Sequence, residues 1–229
     1  MLETNDIIGL IIVYLYVIVL LLVTEKLIKD LSISRKVLHI MVGNIAFLLP
    51  VFVTREIMTF IAAAPFIVLT FLMSPHTPIK SIRGKTSSAG HSMGLVYYSI
   101  SWTVLAYLFF DNMVVIAIGI FAMSYGDGFA SLIGIKYGKQ KYNISGDQKS
   151  FIGTFSMFCF TFIMMIIAII YYQYIADFQF TFSYITIGFL LLFASVAAII
   201  EGFTPKGLDN ITVPLVLVFM FWAVFLHVA

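Results

Sequence analysis

Residues 126–142 read GDGFASLIGIKYGKQKY and residues 149–154 read KSFIGT, a polar island in an otherwise almost continuously apolar chain. Of 229 residues, 62% are hydrophobic and only 10% are charged, with a mean hydropathy of +1.07. That composition excludes an ordinary soluble domain and indicates a polytopic membrane protein. A helix needs about 20 apolar residues to cross the hydrocarbon core, and roughly 17 suffice. Apolar runs of this kind lie at 7–23, 37–53, 57–73, 93–110, 112–125, 152–172, 182–200 and 211–228. They predict an all-α helical bundle of about eight transmembrane helices, or seven if the short fifth run does not cross. The fifth reaches full length only by continuing through Gly126-Asp127-Gly128. Continuously apolar runs lack the alternation of a membrane β-barrel. No internal repeat or long linker interrupts residues 1–229, which are expected to form one membrane-embedded unit.

The basic residues set an orientation. Of the thirteen Lys and Arg residues, all but Arg55 fall in loops that the predicted spans place on one face. By the positive-inside rule that face is cytoplasmic and both termini are outside; Glu3 and Asp6 at the start agree. The first span lacks a basic leader and a small-residue cleavage site, so it reads as a span and not as a signal peptide. Cys159 is the only cysteine and lies in an apolar run, which rules out a disulfide or a thiolate metal site. A net charge of +2 gives no reason to expect a nucleic acid partner, and nothing in the sequence sets the oligomeric state.

Four polar segments carry what chemistry the chain has. In the first, Gly126, Ala130, Gly134 and Gly138 recur every four residues, the stripe that lets membrane helices approach closely. Asp127 is different, because a carboxylate at the end of an apolar span is a functional candidate by default. Lys136, Lys139, Lys141 and Lys149, with Ser150, Gly153 and Thr154 at the start of the sixth span, suit a phosphate group: lysines supply charge and a helix start supplies amide donors. In the second, EGFTPKGLDNITVPL at 201–215, Glu201 ends one span and Asp209-Asn210 begins the next, with Lys206 between. Asp209-Asn210 also fits a helix cap. With Asp127, the pair Glu201 and Asp209 would make a hard-oxygen site for Mg²⁺. In the third, SRKVLHIMVGN at 34–44, Arg35 and Lys36 mark the edge of the second span and His39 shares a face with Arg35. His39 is either a packed, hydrogen-bonded residue, a phosphate donor or a base. The fourth, PHTPIKSIRGKTSSAGHSMG at 75–94, holds Gly84-Lys85-Thr86 but lacks the glycine and the strand of a P-loop. It reads as a connector in which Arg83, Lys85 and His91 are possible phosphate contacts.

Taken together, SRKVLHI with Gly43-Asn44, GDGFASLIGIKYGKQKY, KSFIGT and EGFTPKGLDNITVPL resemble the CTP-dependent lipid kinases, the family of dolichol, phytol and related polyprenol kinases. They are more distantly similar to the phosphatidate cytidylyltransferases. The stretches occur in the family's order over residues 34–215, and the combination is specific where each piece is weak. The resemblance implies a multi-pass membrane enzyme that uses CTP and Mg²⁺ to phosphorylate a long-chain lipid alcohol at the cytoplasmic face. It places Asp127, Lys149 and Glu201/Asp209-Asn210 around CTP. The expectation built on it puts Gly126 and Gly128 beside the nucleotide, Mg²⁺ on Asp127, Asp209 and Glu201, and Asp127, His39 and Asp209 as the catalytic groups. Arg35, Lys36, Lys136, Lys139 and Lys206 are further phosphate contacts. The chain has no His-Gly-Gly element like that of the cytidylyltransferases, which favours the kinase branch. Two alternatives remain at this stage: a cytidylyltransferase making a CDP-lipid, and a small membrane transporter or binding protein. The sequence does not name the lipid.

Overall fold

The computed structural model describes residues 3–77, 93–144, 148–205 and 207–226, and is mostly helical. Lys206 and most of the 75–94 connector, including Lys80, Arg83, Lys85 and His91, lie outside the described residues. Among those described, five helical segments are long and apolar enough to cross a membrane: Thr4–Thr24, Ile33–Val51, Phe110–Tyr137, Phe151–Ile175 and Tyr184–Phe203. Three shorter apolar segments, Ile57–Met73, Gly94–Leu108 and Asp209–Phe225, complete the bundle. Their outer faces are aliphatic and open, as on α1 (Thr4–Leu27), where Ile11 and Leu15 stand exposed. Such a surface suits hydrocarbon and would be an aggregation hazard in water.

Breaks in the helices follow from local chemistry. Helix α2 (Leu31–Val42) tightens into a 3₁₀ segment, Gly43–Val51, in which Pro50 supplies no amide donor. Asp6 of α1 is fully buried and accepts from the amides of Val53 (3.0 Å) and Thr54 (3.2 Å) and from the Thr54 hydroxyl (2.5 Å). The carboxylate thus pins the start of the chain to the end of the second segment. A π-helical turn, Ile57–Ala63, precedes α3 (Pro65–Met73), with Pro65 at the first helical position where a missing amide is harmless.

The centre of the molecule is the segment Phe110–Tyr137. It runs through α5 (Met113–Phe121), a π-helical turn at Ala122–Asp127 and α6 (Gly128–Tyr137). The fifth span therefore continues through the Gly-Asp-Gly sequence. Most of its side chains, from Val114 to Met123, are shut away from both solvent and lipid, and α7 (Phe151–Ile175), α9 (Asp209–Phe225) and the 3₁₀ segment pack around it. Helix α4 (Gly94–Leu108) lies against α3 and α9, and α8 (Tyr184–Phe203) against α7. A helix apolar on all sides is at home either against lipid or in the core, and this one is enclosed by its neighbours.

One amendment to the all-α expectation is needed. The polar tract after α6 forms a two-stranded antiparallel hairpin, β1 (Lys141–Asn143) with β2 (Gln148–Ser150), in which Tyr142 pairs with Lys149. Short strands satisfy backbone groups that a single polar turn would leave open, and here they aim Lys149 inward while Tyr142 leans on Phe151.

Glycines set the closest helix contacts. A Cβ on Gly126 would lie 2.5 Å from the Thr161 hydroxyl of α7, and one on Gly128 would lie 2.2 Å from the Ile40 side chain of α2. Gly128→Val should therefore lower thermal stability in detergent by about 1–3 kcal/mol, the usual cost of overpacking. Gly188→Val, where a Cβ meets nothing within 4 Å, should leave the melting curve in place. Equal melting temperatures for the two variants would refute this account of the packing.

Candidate active site

Four elements deliver charge to one pocket at the end of the bundle where the basic loops lie. The π-helical turn presents Asp127; widened turns of this kind are frequent at functional sites. Helix α2 brings Arg35 and Lys36, with His39 one turn further on behind Asp127. The hairpin brings Lys141 and Lys149, and the α8–α9 connection brings Glu201, Asp209 and Asn210. In that connection Gly207 adopts φ 80°, a conformation that glycine reaches without strain. It reverses the chain so that Asp209 comes back over Glu201.

The carboxylates are buried, each less than 10% exposed, and one oxygen from each of Asp127, Glu201 and Asp209 lies within 4.8 Å of the others. Cations separate them. Lys36 donates to Asp127 Oδ2 at 2.9 Å. Lys149 donates to Glu201 Oε1 at 2.6 Å, approaches Asp209 Oδ2 at 3.4 Å, and also bonds the Glu201 carbonyl. Burial lowers the pKa of the Lys149 ammonium, but Glu201 and Asp209 outweigh that and raise it above the ordinary lysine value. Around the pocket, Arg35, Lys36, Lys141 and Lys149 face Asp127, Glu201 and Asp209, four cations against three carboxylates. The pocket is close to neutral, so an added divalent ion would make it a strong anion site.

The donor set fits Mg²⁺, which takes hard oxygen ligands and keeps several waters. Asn210 adds to the fit: its amide donates to the Gly94 carbonyl at 3.2 Å, while its Oδ1 is buried with no partner among the described residues. An orphaned buried acceptor is rare and calls for a ligand.

His39 is buried, its ring 4.4 Å from that of Tyr98. Its Nε2 lies 2.9 Å from the Met123 carbonyl and 3.5 Å from Asp127 Oδ2. A carbonyl only accepts, so Nε2 carries the proton and the imidazole steadies Asp127.

The sequence-predicted residues separate into two groups. Arg35, Lys36, Asp127, Lys149, Ser150, Gly153, Thr154, Glu201, Asp209 and Asn210 meet at the pocket. Gly126 and Gly128 face α7 and α2 instead, and Lys136 and Lys139 point to the exterior, Lys136 over the Tyr137 ring at 5.1 Å. The start of α7 also offers fewer amides than expected, since the Gly153 amide goes to the Ser150 hydroxyl and that of Phe151 to the Gln140 carbonyl. Asp209-Asn210 is not an N-cap, because the cap position is Leu208. One further lysine noted in the sequence, Lys141, does line the pocket. Two participants went unnoticed in the sequence. They are Gly207 and Tyr142, whose hydroxyl bonds Thr154 (2.5 Å) and lies where a Cβ on Gly202 would sit 2.9 Å away. The hairpin register was the missing signal.

Comparison with known proteins gives relatives of one kind. The chain is 31% identical over 228 residues to a phytol kinase of Synechocystis, covering 94% of this chain and 90% of that protein. It is 28% identical over 204 residues to a probable chloroplastic phytol kinase of Triticum aestivum (84% of this chain, 67% of that one). It is 29% identical over 205 residues to the chloroplastic phytol kinase 1 of Arabidopsis thaliana (84% and 66%). No family model matches the chain, and no solved structure does.

Removing Lys149 leaves Glu201 and Asp209 facing each other in a buried site. Lys149→Ala should destabilise the protein by about 1–3 kcal/mol through the unpaired carboxylates. A raised folded pKa adds stability that is complete below the ordinary lysine value of about 10.4 and is lost only as pH climbs past the folded value. The wild-type advantage over Lys149→Ala in detergent melting should thus hold at both pH 7 and pH 9. A gap that closes by pH 9 would refute the pairing.

Proposed function

The chain belongs to the phytol kinase family, and we propose that it transfers the γ-phosphate of CTP, with Mg²⁺, to the hydroxyl of a phytol-like isoprenoid alcohol at the cytoplasmic face of a membrane. The observation that carries this reading is the convergence of Asp127, Glu201 and Asp209 with Lys36 and Lys149 in one pocket at the ends of apolar helices.

Asp127, Glu201 and Asp209, with the Asn210 amide oxygen, would hold the metal, which supplies charge neutralisation for the phosphates. Phosphoryl transfer needs positioning and charge stabilisation more than covalent help from the protein. Arg35, Lys36, Lys141 and Lys149 provide that charge around the triphosphate, Arg35 and Lys36 from the membrane side and Lys141 and Lys149 from the hairpin. When metal and nucleotide are bound, Lys149 exchanges part of its pairing with Glu201 and Asp209 for a phosphate oxygen. Asp127 is the carboxylate beside His39 and faces the incoming hydroxyl; it orients that group and accepts its proton as the bond to phosphorus forms. His39 donates its Nε2 proton to the Met123 carbonyl and lies 3.5 Å from Asp127 Oδ2, bracing the turn that carries Asp127, which makes it a positioning residue. A loose transition state demands no stronger base.

The test is label transfer in detergent with Mg²⁺ and phytol, comparing γ-labelled with α-labelled CTP. Label from the γ position should appear in the lipid, and Asp127→Asn should reduce the rate by at least about a hundredfold, as loss of a transition-state charge partner does, while the variant still inserts. Label from the α position would assign a cytidylyltransferase instead. No lipid labelling from folded wild-type protein would end the kinase reading.

A further inference from the structure

A second cavity lies beside the charged pocket, and its lining is almost wholly apolar. Its walls come from α1, α2 with the 3₁₀ segment, α3 with its π-helical turn, and α4. Neighbouring elements run in opposite directions, and their contacts order the wall. At the end nearest the basic loops stand Leu38, His39, Leu95 and Tyr98, with Thr70 and Ser99 (3.4 Å apart) a little deeper. The Tyr14 hydroxyl bonds the Ile61 carbonyl (2.5 Å), which brings the 57–63 turn level with the middle of α1. Beyond it, Leu49, Phe52 and Met58 form the far end and are 1–2% exposed. Phe52 closes that end by lying on Gly9, where a Cβ would come within 2.9 Å of its ring. Nearer His39 the wall is open to the bilayer, with Leu69 at 42% exposure.

We infer that this cleft holds the hydrocarbon chain of the acceptor alcohol, entered from the membrane beside Leu69, with the hydroxyl at His39 and the chain's tail against Phe52. The inference rests on the kinase reading of the charged pocket and adds to it where the chain lies and what limits its length. The two cavities meet across the His39–Asp127 pair, and that adjacency identifies the occupant. His39 lines the cleft and its Nε2 is 3.5 Å from Asp127 Oδ2, so a hydroxyl held at His39 lies beside the phosphate site, while beyond the Thr70–Ser99 pair the chain meets carbon. From His39 to Phe52 the wall runs about 20 Å at helical and 3₁₀ rise, against a hydrocarbon core of about 30 Å. A cleft of that depth, closed at its far end, fits an extended diterpenoid alcohol. A chain of dolichol length would have to leave through the side.

Two experiments on the full-length protein in detergent test this. An isoprenoid alcohol carrying a diazirine at its tail should, on irradiation, label the wild-type protein at Leu49, Phe52 or Met58. A probe with the diazirine beside the hydroxyl should label near Leu38 and Leu95. Tail labelling spread over outward residues such as Ile11, Leu15 or Tyr184, with turnover of the same probe intact, overturns the cleft and leaves the kinase reading standing. If no alcohol is turned over at all, it is the kinase reading that fails. In the second, Ala62→Phe narrows the far half of the cleft. It should lower kcat/KM for phytol relative to geraniol by about tenfold, the scale of discrimination an apolar pocket achieves. An unchanged ratio in folded variant overturns the length limit; should the variant not fold, the tail-labelling result on wild type decides.

Discussion

Three carboxylates held within 4.8 Å of one another, away from water, repel unless cations stand among them. That electrostatic constraint governs the basic end of this protein. Lys36 arrives from α2 and Lys149 from the hairpin, and each finds its carboxylate at hydrogen-bond distance. Remove either supplier and a buried negative charge is left without compensation. The hairpin, the widened turn at Asp127 and the reversal at Gly207 are all ways of bringing these charges to the same few ångströms. The resulting near balance also explains how a pocket can await a metal and a polyphosphate without being disrupted by its own charges.

The remainder of the fold supplies a rigid frame for that cluster. The stretch Val114–Met123 is enclosed by its neighbours, which holds the π-helical turn in place, and the Met123 carbonyl within that turn accepts a hydrogen bond from the His39 ring. Bare glycine surfaces let α7 and α2 come close enough to hold the turn between them. A polar thread, Tyr125 to Asn44 and Asn44 to Tyr16, ties the same segment to the first two helices inside the apolar region. With few other polar partners at that depth, such bonds are specific in where they form.

Much of this was legible in the chain. Long apolar runs give helices because every backbone polar group in hydrocarbon must be satisfied locally. Seven of the eight predicted runs correspond to the observed apolar segments within a few residues, while the fifth, read as 112–125, runs on to Tyr137. Asp127, Glu201 and Asp209 stood out because charge is scarce and each sits at the end of a run. What periodicity could not show is which way a residue faces. Gly126 and Gly128 flank Asp127 in sequence but turn to neighbouring helices, and Lys136 and Lys139 look like phosphate ligands yet point outward. The short hairpin escaped because six residues of polar sequence carry no helix or strand signal strong enough to read.

Sequence alone determined that the chain lives in a membrane, that its chemistry gathers at the ends of its helices, and which residue types are available for it. Apolar length and the high cost of buried charge are local properties, written in composition and order. Tertiary structure decided which of those charges meet, because Lys149 and Glu201 are separated by two long helices and come together only when α7 and α8 pack. It also decided that an apolar cleft ends at His39, since a cavity is the space left between four elements and no single segment encodes it.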